Sequence, residues 1–327
     1  MSITRRGLVA AGLATPLLAG TALRAQPSWP DRPLRFVVPF PAGSSPDLTG
    51  RVVAEHLGQV MGQPCVVDNR AGAGGNIGTD AIAKATDGHT IGLSINGPLS
   101  TAPALYPNLP YDPVKDLVAM SLLVRGPQFL VVNNDLPARD LASFIAHVRA
   151  NPGKLAFGSV GPGSGGHLGM IDLMAKAGGM DMLHVSYRGF PQATVDLIAG
   201  RIQAMVVTTA AVMGQVRGGQ IRPLAVTSAG RFGLTPTVPT LAEQGLANAE
   251  SYGWQIMVAP ASTPPERLAR LATEAQAALR APAARQRLES AGFEVMATTP
   301  AEAVAFLAEE TDRWGGMIRR LGIRIDG

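Results

Sequence analysis

The sequence predicts an α/β protein built as two lobes, each a parallel sheet covered by helices. A ligand cleft lies between the lobes, and strands cross from one to the other. Three observations carry this reading. A strand, a turn of small residues and a helix start follow one another over Leu34–Asp47 (LRFVVPFPAGSSPD). The same unit recurs over Leu155–His167 (LAFGSVGPGSGGH), and long helical stretches finish the chain, returning it to the first lobe. At 327 residues the chain is long enough for two separate cores. The division is 26–126 plus 258–327 for lobe 1 and 127–257 for lobe 2, with residues 1–25 set aside.

Residues 1–25 read as an export signal. Arg5-Arg6 precede an apolar, alanine-rich run from Gly7 to Leu23, and Ala25 closes a small-residue cleavage site before Gln26. Thr4-Arg5-Arg6-Gly7-Leu8 resembles a twin-arginine signal, while a paired Arg also suits the general secretion route, so both routes stand. The expected location is outside the cytoplasm. No later run approaches the roughly 18 apolar residues of a membrane span. Arg5, Arg6 and Arg24 belong to this segment, so most of the formal charge of +4 leaves with it, and the remaining chain is close to neutral. That balance, with only 5% aromatic residues, excludes a nucleic-acid surface. A composition of 46% apolar and 16% charged residues excludes disorder. The lone cysteine, Cys65, makes no intramolecular disulfide and is expected as a small buried apolar side chain.

In the first unit Leu34–Val38 is an apolar strand, broken by Pro39 and Pro41. Ala42-Gly43-Ser44 turns, and Ser45-Pro46-Asp47 starts a helix with Ser45 as N-cap and Pro46 at the first helical position. Leu48, Val52, Leu57, Val60 and Met61 recur near helical spacing, and Gly62 ends the helix. Cys65–Val67 is a short strand. The glycine-rich stretch Asn69–Gly78 leads into a helix through Ala85, and Asp87-Gly88 turns into a third strand, His89–Ser94, which ends at Asn96-Gly97-Pro98. Leu105–Asp116 reads as an ordered loop. Leu117–Val124 and Phe129–Asn133 are strands crossing between the lobes, and Leu141–Ala150 is an amphipathic helix stopped by Asn151-Pro152-Gly153.

The second unit starts with the strand Leu155–Val160. Its helix carries Leu168, Ile171 and Met174 in register and stops at Gly178-Gly179. Leu183–Tyr187 is a strand, Ala193–Ala199 a helix, and Ala204–Thr208 and Arg222–Thr227 are strands of the same sheet. After the proline-punctuated Leu234–Leu246, the strand Tyr252–Pro260 returns. Pro265–Leu279, Ala283–Ala291 and Pro300–Leu321 are helices, the last opened by Thr299-Pro300-Ala301-Glu302.

A turn of small residues before a helix points free N–H groups and the positive end of the helix dipole into the turn, which makes it an anion seat. The chain has two such seats, expected to face each other. Gly161, Gly163 and Gly166 spell G-x-G-x-x-G between a strand and a helix. The acid that a nicotinamide cofactor requires about 20 residues further on is missing, so no cofactor is expected. Ser159, Ser164 and His167 suggest a hydrolase, but Pro162 breaks the G-x-S-x-G pattern, and His167 follows Ser164 too closely to activate it; no catalytic residue is assigned. The five histidines lack ligand spacing, so no metal site is expected. Alternatives stay open for single residues. His167 is either structural or pocket-lining, and Asp47 is either a pocket residue or a favourable first-turn charge. Arg188 either meets a ligand carboxylate or is solvated, and Thr208-Thr209 offer hydroxyls at a strand end.

The pieces PFPAGSSPD (39–47), VVDNRAGAGGNIG (66–78), DGHTIG (87–92), ALYPNLPYDPVKD (104–116), FGSVGPGSGGHL (157–168), HVSYRGFPQA (184–193), IRPLAVTSAGR (221–231), PTVPTLAEQG (236–245) and WQIMVAPASTPP (254–265) occur in order. Through them the chain, from Trp29 to Ile325, resembles the periplasmic solute-binding proteins of tripartite tricarboxylate transporters, the Bug/TctC-like family. The resemblance implies a type II-like periplasmic-binding-protein fold that closes on a small carboxylate. It places the ligand against Phe40, Pro41, Ala42, Gly43, Ser44, Ser45 and Asp47 of the first turn. From the second turn it adds Ser159, Gly163, Ser164, Gly165 and His167, and from strand ends Asn96, Tyr187 and Thr208. It implies a monomer, membrane transporter subunits as partners, and no enzyme activity. The rival readings are an exported α/β enzyme acting on a carboxylate in the same cleft and a ligand sensor feeding a signalling partner. Two departures from the family pattern stand out. Ser44 replaces the usual second glycine, adding a hydroxyl and a Cβ beside the ligand. Val207 takes the place of an acid, which disfavours amino acids as ligands.

Overall fold

The computed structural model describes residues 29–324; the export signal expected over residues 1–25, with cleavage after Ala25, falls outside them. The elements run β1 (Leu34–Val38), α1 (Ser45–Val60), β2 (Cys65–Asn69), α2 (Asn76–Ala83), β3 (Thr90–Ile95), α3 (Ala102–Leu105) and β4 (Leu117–Val132). They continue α4 (Leu141–Ala150), β5 (Ala156–Ser159), α5 (Gly165–Lys176), β6 (Leu183–Ser186), α6 (Phe190–Ile198), β7 (Ala204–Thr208), α7 (Thr209–Arg217) and β8 (Arg222–Val226). Then β9 (Tyr252–Pro260), α8 (Pro265–Arg280), α9 (Pro282–Ala291), β10 (Glu294–Val295) and α10 (Pro300–Leu321) complete the chain.

The two lobes share one strand. In the first, β1 is parallel to β2 and β3, and β9 lies antiparallel between β3 and β4. In the second, β5 is parallel to β6 and β7, while β7 and β8 flank β4 in antiparallel fashion. β4 gives residues 117–127 to the first sheet and 128–132 to the second. The two strands expected over 117–124 and 129–133 are therefore one. Pro127 does not break it, because its missing N–H falls at the last pair of the β4–β9 ladder, opposite Tyr252, where β4 changes partners. The second crossover is also earlier than the sequence division draws it. Residues 252–257 pair with β3 and β4, so they belong to the first lobe, and the chain returns at Ser251–Tyr252. This is the two-lobed architecture the resemblance implies.

The strand pattern decides how each lobe packs. Leu34, Phe36 and Val38 of β1 join Val53 and Leu57 of α1 in the first core. Gly50 lets α1 lie close on β1, since a Cβ there would stand 2.6 Å from Val38 Cγ2. In β4 the side chains alternate across the second sheet. Leu130 and Val132 meet Phe144, Phe157 and Leu173 on one side, and Phe129 and Val131 meet Leu197 and Val212 on the other. Cys65 is partly buried against the first core, and burial pushes its thiol up to about 12, so it is inert.

Two helical segments escape a reading of the sequence. Gly97–Thr101 winds a wide turn into α3, although Asn96-Gly97-Pro98 looks like a stop; Pro98 sits in the first turn, where no N–H is needed. α7 leaves β7 directly at Thr208, with no turn residues to announce it.

α10 begins with the expected cap: Thr299 Oγ1 accepts from the Glu302 amide, and Glu302 Oε2 accepts from the Thr299 amide. Ala303, Phe306 and Leu307 pack on Leu122, Trp254 and Val258 of the first lobe. Beyond them Trp314, Met317 and Ile318 pack with Leu105 and with Leu168 of α5 in the second lobe. Gly315-Gly316 lie inside this second contact. Buried Glu310 accepts from the indole N–H of Trp254 at 2.8 Å and of Trp314 at 2.9 Å. Removing it strands two buried donors, so Glu310→Ala is expected to lower stability by about 2–4 kcal/mol in urea unfolding, with Glu310→Gln recovering part of the loss. A loss within the scatter of surface substitutions would show that the carboxylate does not hold the two indoles.

Candidate functional site

The first turn is braced from within. The Asp47 carboxylate accepts from the Gly43 amide, Arg51 Nε and Asn69 Nδ2, each at 2.9 Å, and Asn69 Nδ2 also donates to the Phe40 carbonyl. Burial alone would raise the Asp47 pKa, but these donors together hold it below its ordinary value. Asp47 is thus the post around which the turn is tied. The N-cap is Ser44, one residue before the expected Ser45. Ser44 Oγ is buried and has no partner. Among the described residues the amides of Ser45 and Asp47, at the open end of α1, are likewise unpaired.

The second turn is braced by histidines. Ser159 Oγ lies 2.7 Å from His184 Nε2 and accepts from the Gly161 amide at 3.1 Å. His167 Nδ1 accepts from the Gly163 amide at 3.1 Å, and Ser164 Oγ caps α5 by accepting from the His167 amide. The two imidazoles lie 4.2 Å apart, centroid to centroid, and Phe157 stacks on His184 at 4.9 Å. Burial pushes His184 down to about 4; burial and the neighbouring His184 push His167 down to about 3. Ser159 and His184 look like a nucleophile and base, but Ser159 is 2% exposed and its Oγ is occupied by the turn. Among the described residues the amides of Gly165 and Gly166, at the open end of α5, are without a partner.

The two turns meet. A Cβ on Gly161 would lie 2.8 Å from Gly74 Cα, so main chain touches main chain across the lobes, with Gly161 at φ +125°. Gly165 faces Asn96 with no space for a side chain, Gly189 faces the Pro41 ring, and Thr101 Oγ1 donates to the Gly163 carbonyl at 2.7 Å. Each glycine of G-x-G-x-x-G is filled by protein: Gly161 by Gly74, Gly163 by Leu105 and Thr101, and Gly166 by the Val206 carbonyl. No pyrophosphate fits there.

Between the turns lies a cavity of about 30 Å³. That is the scale of one or two waters, so the lobes are closed. Of the residues expected at the ligand, it brings together Ser45, Asn96, Ser164, Gly165 and Thr208. The others stand elsewhere. Phe40 lies behind the wall, packed with Ile95, Val160 and Phe190. Pro41 closes on Gly189, and Ala42 and Gly43 are exposed. Ser44 and Gly43 line a neighbouring hollow. Asp47, Ser159, Gly163 and His167 brace the turns. Tyr187 donates to Asp196 Oδ2 at 2.9 Å, away from the cavity, and Arg188 is exposed. Val207 is buried in the second core with Val212, so it faces no ligand; its neighbour Thr208 does.

Sequence reasoning missed Gln128, Phe190, Trp254, Gln255 and Phe293 in the lining. Gln128 and Gln255 sit where β4 and β9 cross between lobes, a position visible only once the crossing is known. Asn96 Nδ2 and Gln255 Oε1 are buried here without partners. No acid and no cation lines the cavity, so its field comes from amides and helix ends. No group of three metal-ligating side chains exists among the described residues.

Two outcomes follow. Gly165→Ala keeps the helical backbone but drives a methyl into Asn96; the variant is expected to fold normally and to lose closure, with small-angle scattering showing an open molecule at saturating ligand. Wild-type compaction would acquit the contact. Both histidines are neutral in the folded lobe and take up protons when it unfolds. Their contribution is complete above about pH 6.5 and is lost as pH falls toward 4. The unfolding midpoint should drop between pH 7 and 5, while imidazole NMR shifts of His167 and His184 stay at their neutral values above pH 5.

The comparisons agree with this geometry. The family model described as "Tripartite tricarboxylate transporter family receptor" matches residues 49–323. Protein BugT of Bordetella pertussis is 37% identical over 320 residues, covering 97% of this chain and 96% of BugT. The structure of R. palustris Rpa4515 with adipate superposes with TM-score 0.87 at 32% identity, covering 91% of this chain and all of that one. MatC of Rhodopseudomonas palustris with bound malate gives TM-score 0.85 at 28% identity, covering 89% of this chain and all of MatC. A fold of two closed lobes, a cleft framed by free helix amides, and likeness along nearly the whole length place the chain in the tripartite tricarboxylate transporter receptor family.

Proposed function

We propose that the protein is a periplasmic receptor that captures a small organic carboxylate and delivers it to the membrane subunits of a tripartite tricarboxylate-type transporter. The observation that carries this is the pairing of two helix starts, α1 from one lobe and α5 from the other, around one cavity with unpaired amides on both sides. A carboxylate there accepts from the Ser45 amide on one lobe and from Gly165 and Gly166 on the other, with Asn96 Nδ2 as a further donor. Charge-assisted bonds of this kind contribute roughly 1.5–3 kcal/mol each. The open form offers one set at a time and the closed form both, so the ligand shifts the population toward closure. The hinge lies at Gly126–Gln128 and Ser251–Gly253, where β4 and β9 pass between lobes.

The adipate and malate of the two solved relatives are carboxylates, which supports the same ligand class here. No lining acid is present to pair with an ammonium, so amino acids are disfavoured against matching acids without the amine. The chemistry read here is binding rather than turnover, because the Ser159–His184 pair near the cleft is sealed in its turn. A thermal-shift screen of mono-, di-, tri- and aromatic carboxylates is the direct test. A midpoint that rises with ligand concentration, and ligand recovered unchanged, is expected. No stabilisation by any carboxylate, or aspartate outcompeting succinate, contradicts the reading.

A further inference from the structure

Beside the small cavity lies a larger hollow of about 330 Å³ between the same lobes, sharing Ser45 and Phe190 with it. Its size falls in the roughly 300–1,000 Å³ range of small-molecule sites. On one side stands the start of α1, with Ser44 and Leu48. Opposite is α6, whose Pro191, Val195 and Ile198 recur at helical spacing and turn into the hollow. Val195 is 60% exposed and Ile198 37%, so this stripe has no protein partner. Ala210 and Ala211 of α7 complete the wall, and no charged side chain lines it. Ser44 is 3% exposed, and its Oγ, without a partner, is the buried polar atom left unsatisfied on this wall. Phe190 stands between the two hollows, stacked on Phe40 at 5.9 Å and 30°.

We propose that this outer hollow is the specificity pocket of the receptor and takes the apolar body of a monocarboxylate. The proposal rests on the carboxylate reading of the cleft. The single carboxylate keeps the seat between the two helix starts, where Ser45 is common to both hollows, and the orphaned Ser44 hydroxyl beside it is a further donor. The body lies against the Phe190 ring and the α6 stripe. A second carboxylate at the far end of the ligand would be desolvated against Pro191, Val195 and Ile198 with no cation to pair with; Thr194 Oγ1 already donates to the Phe190 carbonyl, and Gln215 is the one neutral amide on that wall. An apolar body instead removes their exposed surface from water. Phe190, which lines both hollows, is the wall along which the body leaves the carboxylate seat.

Calorimetric titration of the exported chain with phenylacetate, adipate and phenylacetamide tests this, together with the double variant Val195→Ser/Ile198→Ser, whose positions are exposed and whose fold is retained. Phenylacetate is expected to bind at least about tenfold more tightly than adipate, and phenylacetamide not at all. The variant should weaken phenylacetate about tenfold through lost apolar burial and narrow its preference over adipate. Adipate binding as tightly as phenylacetate, or a variant with unaltered phenylacetate affinity, overturns the pocket assignment while the carboxylate reading stands. Silence toward both acids, or phenylacetamide binding as well as phenylacetate, overturns the carboxylate reading itself.

Discussion

Closure of this molecule depends on main chain meeting main chain. Gly161 meets Gly74 across the lobes at a distance that admits no side chain on Gly161, and Gly165 presses on Asn96. A methyl at either place wedges the lobes apart and takes one set of amides out of reach of the other. The site is therefore not a preformed hole with charged walls. It is a set of neutral donors that become a site only when two rigid turns are brought into register.

That explains why so many polar side chains near the cleft face away from it. Asp47, Asn69, Ser159 and His167 satisfy the turns from behind and leave the forward amides free. The division of labour is electrostatic as well. Asp47 is ionised but tied to Arg51 and two N–H donors, and the histidines are held neutral by burial, so an incoming anion meets oriented dipoles rather than a fixed charge. Dipoles act over short range, which makes the gain on closing steeper than a lone arginine would give.

Most of the architecture is legible in the chain because each strand–turn–helix unit announces itself locally: apolar run, Gly/Ser turn, helix start. The shared strand is less legible. Gly126-Pro127 looks like a break, and only the change of partners at that point shows why it is tolerated. The site splits along the same line. Ser45, Asn96, Ser164, Gly165 and Thr208 lie at the open ends of elements, where local pattern points. Gln128, Gln255 and Phe293 reach the cleft through the crossing of distant segments, and their neighbours in sequence carry no mark of it. The turns themselves mislead in one respect. Ser159 and Gly163 look like donors to a guest, yet their capacity is consumed by His184 and His167, which lie up to 25 residues away.

α10 grips both lobes, with its first half on the sheet of one and its second on α5 of the other. A stiff rod fastened at both ends would limit how far the jaws part. Gly315-Gly316, set within the second grip, weaken the rod where it must flex, since paired glycines soften a helix. Through Glu310 the same helix also holds Trp254 of the cleft wall, so a bend at the paired glycines would be felt where the guest sits.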